Sequence, residues 1–161
     1  MRTSTLSTLV ATASIASARI IGFSAPPVLT PSTPFTFNLT TENYIQTVAD
    51  IAVVWGFQLP TASAPTGYPD SLGAFANSSY LGPTKSDVLG DVTVDAYAPG
   101  DLSSSTWNGK DVVLTVAVTS LYGASAGPVT QSWNATVKIG EGSGGDWVVS
   151  EGQGWYQSSS C

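Results

Sequence analysis

The sequence predicts an all-β protein, an antiparallel immunoglobulin-like β-sandwich of about seven strands. Three observations carry that reading. Apolar and polar residues alternate with period 2 through several segments, as strands with one wet face require. Turn signals separate these segments at short spacing, among them Asn108-Gly109, whose residues both tolerate positive φ. No apolar stripe at helical spacing runs longer than one turn.

The organising stretch is residues 111–140, which reads as two long strands joined by a Gly/Pro turn. In the first, Val112, Leu114, Val116 and Val118 share one face, and Thr115, Ala117 and Thr119 the other. In the second, Val129, Trp133, Ala135, Val137 and Ile139 alternate with Thr130, Ser132, Asn134, Thr136 and Lys138. Asn134-Ala135-Thr136 is a glycosylation sequon, and its place on the polar phase marks that face as the wet one.

Taken from the N-terminus, residues 19–23 form a short strand, and the prolines at 26, 27, 31 and 34 suit an edge and turns, because proline donates nothing to a ladder. Phe35, Phe37 and Leu39 alternate with Thr36, Asn38 and Thr40, again with a sequon, Asn38, on the polar phase. Residues 48–59 are apolar on both phases near Ile51 to Trp55, as in a central strand. Residues 61–70 read as loop, residues 71–76 as one helical turn, Asn77-Ser78-Ser79 as a third sequon, and 79–83 as a turn. Val92, Val94 and Ala96 face inward from a strand over 88–97, and Asp91, Thr93 and Asp95 face outward. From Glu141 the composition shifts to Gly, Ser and Gln, so residues 19–140 are the domain and 141–161 a Gly/Ser-rich tail, open to two readings: an added edge strand over 146–149 or a mobile tail throughout.

Residues 1–18 read as a secretory signal. Arg2 supplies the positive end, residues 6–16 the apolar run, and Ala16-Ser17-Ala18 an A-x-A cleavage site. Removing them takes away one of five basic residues and none of the 11 acids, leaving 143 residues at net charge −7. Such acidity argues against nucleic acid and anionic membranes as partners. No later apolar run reaches the roughly 20 residues of a membrane span, so a secreted, extracellular protein without membrane insertion is expected. A mature chain of this length is enough for one domain with a sizeable core.

The residues also limit the chemistry. With no His, neither a Ser-His-Asp nor a Cys-His arrangement is available, nor a His-bearing zinc site. Asp87, Asp91 and Asp95 are spaced as a solvated face rather than a calcium loop. Cys161 is the single cysteine, at the last position, so the fold must rest on its core without a disulfide. Gly140-Glu141-Gly142-Ser143-Gly144-Gly145 matches G-x-G-x-x-G, but no helix follows, and it reads as linker. No catalytic residue, cofactor or metal is therefore expected. Five Trp and six Tyr raise a carbohydrate-binding reading, with Trp55 and Trp133 in the core and Trp107, Trp147, Trp155 and Tyr156 as candidates for exposure.

Four segments carry a family resemblance: Thr41-Glu42-Asn43-Tyr44-Ile45-Gln46, Val48-Ala49-Asp50-Ile51-Ala52, Ser79-Tyr80-Leu81-Gly82-Pro83 and Ser120-Leu121-Tyr122-Gly123-Ala124-Ser125. In this order and spacing, over residues 20–139, they resemble the fungal necrosis-inducing secreted protein 1 effectors. The resemblance implies a small, secreted, non-enzymatic effector delivered to plant hosts. It implies suppression of pattern-triggered immunity through binding and inhibition of immune receptor-like kinases, and host cell death. The resemblance carries over no contact residues. Separately, the loop over 120–126 offers Tyr122, with Leu121, as candidate partner-binding residues, since interfaces favour an exposed aromatic anchor. Against this stands the alternative that Tyr122 packs locally, as a tyrosine corner does. An extracellular carbohydrate-binding or cell-wall β-sandwich is the competing function.

Overall fold

A computed structural model describes residues 17–68, 70–142 and 144–156, without the side chains of 153–156. Residues 1–16 of the expected leader lie outside the described residues, as do Cys161 and the side chains of Trp155 and Tyr156. The chain folds into an all-β sandwich with ten strands among the described residues: β1 Ser17–Ala25, β2 Val28–Leu29, β3 Pro34–Tyr44, β4 Val48–Gln58, β5 Ala74–Tyr80, β6 Val92–Tyr97, β7 Asp111–Tyr122, β8 Gly127–Ile139, β9 Val148–Val149 and β10 Glu151–Tyr156. One sheet runs β6-β3-β1-β9; the other runs β10-β8-β7-β4-β5, with β2 added to β8 in parallel. The order β6-β3-β1 facing β8-β7-β4 is the arrangement of an immunoglobulin-like sandwich.

The core lies between the inner faces, and period 2 decides who enters it. Phe37 and Leu39 from β3, Val92 and Val94 from β6, and Leu114, Val116 and Val118 from β7 are buried there. Trp55 on β4 meets Phe37 edge-on at 5.5 Å between ring centroids, and Phe37 meets Phe23 of β1 at 6.0 Å. This stack crosses from one sheet to the other where antibody domains place their disulfide beside a buried Trp. Each fully buried aromatic or branched side chain contributes roughly 1.5–3 kcal/mol, which lets the sandwich stand without a covalent staple among the described residues.

Several expectations change. The strand expected over 19–23 begins at Ser17, whose pairing with Tyr44 opens the β1–β3 ladder. The helical turn expected over 71–76 is absent: Ala74–Tyr80 is edge strand β5, paired with β4, and the only α-helical turn among the described residues is Gly82–Lys85 (α1). The first strand of the central hairpin is not half-buried, because β7 lies between β4 and β8 and is covered on both faces. Gln58 explains the outer cover. Its Nε2 donates to Thr115 Oγ1 at 2.6 Å and to the Tyr68 carbonyl at 2.9 Å, holding the segment between β4 and β5 over the sheet.

The same cover changes Asn134. Its side chain is not on a wet face: it is 9% exposed, and its Nδ2 donates to the Thr66 carbonyl at 2.8 Å. Beyond residue 140 the chain returns to the body twice, as β9 on β1 and as β10 on β8.

Candidate functional site

The four segments singled out in the sequence meet at one end of the sandwich. The turn after β3 and the turn after β7 lie side by side, with the Gly123 N–H donating to the Thr47 carbonyl at 2.9 Å. The start of β4 pairs with the end of β7, Val48 opposite Tyr122 and Asp50 opposite Ser120. The segment after β5 joins them through the Leu81 N–H, which donates to the Ile51 carbonyl at 3.0 Å.

Tyr44 and Tyr122 form the centre of this end, ring against ring at 5.7 Å and 87°. Arg19 lies over the Tyr44 ring, its guanidinium carbon 4.8 Å from the centroid, and pairs with Glu42 at 2.6 Å. Tyr122 is half-buried and its hydroxyl donates to Gln131 Oε1 at 3.0 Å, so local packing describes it well. It stands at the far end of β7 and bonds a side chain, unlike the tyrosine corner, which bonds backbone at the start of the equivalent strand. Burial, then the nearby Asp50 charge, pushes its phenol above the ordinary value. Leu121 is also half-buried, whereas Ile45 at the turn is 96% exposed.

Beneath the tyrosines is a buried carboxylate. Asp50 is 3% exposed, and a lone carboxylate in the otherwise apolar run of β4 must find partners to be tolerated there. Ser120 donates its hydroxyl to Oδ1 at 2.5 Å and the Asp87 N–H approaches Oδ2 at 3.4 Å. Burial raises the Asp50 pKa; the Ser120 and Asp87 hydrogen bonds oppose the rise, and the Asp87 charge adds to it. Ser120 is itself 1% exposed, so this pair holds β4 to β7 and presents no open nucleophile. Asp87, expected on a solvated face, accepts the Ser17 hydroxyl and the Ala18 N–H, each at 2.6 Å.

Of the residues the sequence singled out, Leu121 and Tyr122 are in this cluster. Arg19, Glu42, Tyr44, Ile45, Asp50, Asp87, Ser120 and Gln131 were not picked out as site residues. Glu42, Tyr44, Ile45, Asp50 and Ser120 lie in the segments that carry the resemblance, and Asp50 also stands out as a charge inside an apolar run; Arg19, Asp87 and Gln131 are brought in by the tertiary fold alone.

The other candidates lie elsewhere. Asn77 is exposed on β5 and Asn38 half-exposed on β3, where its Oδ1 accepts from Thr93 Oγ1 at 2.9 Å. Trp107 packs against Phe75 at 5.5 Å rather than standing free, and Trp147 is 41% exposed. A cleft of about 660 Å³ opens between β8 and the chain entering β10, lined by Thr66, Asn134, Thr136, Val149 and Glu151. Among the described residues no group of three or more Cys, Asp or Glu side chains is placed to hold a metal, and no helix is long and apolar enough to cross a membrane.

Comparison with known proteins agrees with the resemblance. The sequence model of the Nis1 family matches residues 16–138. The chain is 36% identical over 126 residues to necrosis-inducing secreted protein 1 of Colletotrichum higginsianum, covering 78% of this chain and 81% of the relative. It is 34% identical over 138 residues to the protein of the same name from Colletotrichum orbiculare, covering 86% and 80%. Both relatives are secreted proteins by name, in agreement with the expected secreted location. The chain belongs to the Nis1 family.

Proposed function

We propose that this chain is a secreted fungal effector that provokes plant cell death and suppresses pattern-triggered immunity by binding immune receptor-like kinases and inhibiting them, without catalysis of its own. Its relatives carry necrosis induction in their names. The observation that supports a binding role most directly is the gathering of four separated segments at one end of a rigid sandwich. Five large apolar side chains exposed on those segments and the adjoining loop, Ile45, Ile51, Tyr80, Val88 and Leu89, fit a surface that acts by contact. The net-negative chain complements a basic kinase surface, which favours fast encounter. On this reading Ile45 is the exposed anchor, Leu121 and Tyr122 support it, and the buried Asp50–Ser120 pair fixes the geometry beneath.

The test is retention of the mature chain on immobilised kinase domains of plant immune receptors, run beside chitin and cellulose columns, with kinase activity assayed in parallel. Retention on the kinases with loss of their activity supports the proposal. Retention on polysaccharide alone replaces it with wall binding, and retention on neither refutes both.

A further inference from the structure

The two residues before the expected mature start already belong to the folded body. Ser17 and Ala18 are 4% and 3% exposed and pair with Tyr44 and Asn43 at the first rungs of the β1–β3 ladder. Both also bond Asp87 Oδ1, Ser17 through its hydroxyl and Ala18 through its N–H. Asp87 holds a left-handed backbone conformation, φ 55°, at a non-glycine residue, so this corner is ordered against a local preference.

Among the described residues neither Asp87 nor Asp50 forms an ion pair. Asp87 and Asp50 are close enough for the charge of one to act on the other. Among the described residues the one ion pair joins Arg19 to Glu42, and the Lys85 ammonium donates instead to the Thr93 carbonyl at 2.8 Å. A cut after Ala18 would strip both donors from Asp87 and remove two rungs beside Tyr44. The sequence offers another site two residues earlier, Ser14-Ile15-Ala16, with small residues at the same two positions relative to the cut.

We propose that the leader is cleaved after Ala16, so that the mature chain begins at Ser17 and its new α-ammonium lies against the Asp87 carboxylate. Water hydrolyses the Ala16–Ser17 peptide bond: its oxygen completes the Ala16 carboxylate, and both its protons go to the Ser17 nitrogen, which leaves as the α-ammonium. Ser17 Oγ bonds Asp87 Oδ1, and the nitrogen of the same residue is three covalent bonds from that hydroxyl oxygen. The terminus then gives Asp87 an ion-pair partner and secures the strand beside Tyr44. The inference rests on export alone and stands or falls separately from kinase binding.

Expression of the full-length chain in a secreting fungal host, enzymatic removal of N-glycans, then N-terminal sequencing and intact mass measurement test it. A start at Ser17 supports the proposal; a start at Arg19, or anywhere else, overturns it. The ammonium contact is read separately, from chains made to begin at Ser17, at Arg19, and at Ser17 with an acetylated α-amine. The Ser17 form is expected to melt at least about 2–4 °C above the Arg19 form, with acetylation removing part of that gap. Identical midpoints for the Ser17 and Arg19 forms, or no effect of acetylation, overturn the contact.

Discussion

Tyr44 at the end of β3 and Tyr122 at the end of β7 meet edge to face across the two sheets, 5.7 Å apart. Edge-to-face rings attract because the positive edge of one faces the negative face of the other, about 0.5–1.5 kcal/mol beyond the area they bury. The contact ties the two sheets at the end where the turns carrying Ile45 and Gly123 lie, so those turns are held on a firm base.

Removing the Tyr122 hydroxyl is therefore expected to weaken the fold. In Tyr122→Phe the buried Gln131 Oε1 loses its donor, at a cost of about 1–3 kcal/mol. In Tyr122→Ala the ring contact goes as well, and a loss of about 2–4 kcal/mol is expected for a half-buried ring. Urea unfolding of the two variants measures both. Equal midpoints for wild type and Tyr122→Ala would show that the ring does not brace this end.

Ile45→Asp separates binding from stability. At 96% exposure Ile45 supports almost nothing in the fold, so unfolding should shift by no more than about 0.5 kcal/mol. As the anchor of the proposed interface, its loss should weaken kinase binding at least about tenfold, equivalent to about 1.4 kcal/mol. Calorimetric titration with a kinase domain reads this; unaltered affinity removes Ile45 from the interface.

Asp50 should make the protein gain stability relative to its Asn variant as pH falls. Burial raises the folded-state pKa, so folded Asp50 takes up a proton at a pH where unfolded Asp50 is still ionised. Above the folded pKa the buried charge costs stability. That cost diminishes as pH drops through the folded value and is gone below the ordinary carboxylate value. Asp50→Asn carries no such term, so the difference between the two proteins should move in favour of wild type from pH 7 towards pH 4. Parallel melting curves over this range would refute a perturbed Asp50.

The three sequons should differ in use. Asn77 is exposed on an edge strand and Asn38 half-exposed, and both are expected to carry glycan. Asn134 is expected to remain bare, since its Nδ2 is enclosed and already bonded to Thr66. Glycopeptide mass spectrometry of the secreted protein decides. Asn134→Gln should then leave the glycan count unaltered yet lower stability by about 1–3 kcal/mol through the lost hydrogen bond, whereas Asn77→Gln should remove one glycan. A glycan found on Asn134 would mean that the segment between β4 and β5 does not close over β8.

The strands were legible in the sequence because strand periodicity is local: successive side chains point to opposite faces whatever else the chain does. Val92, Val94 and Ala96 could thus be assigned inward and Asp95 outward before any fold was known, and the structure agrees. The family was legible for a similar reason, since short motifs in fixed order survive without knowledge of their contacts. What alternation does not contain is the identity of whatever lies on the outer face. Asn134 and Thr115 sit on a polar phase and are buried because Gln58 and Thr66, distant in the chain, bring a loop across them. The meeting of Tyr44 with Tyr122, the Asp50–Ser120 bond and the hold of Ser17 on Asp87 are likewise products of sheet order and register. Those depend on which strands become neighbours, a choice made by the packing of the whole core and not by any one segment.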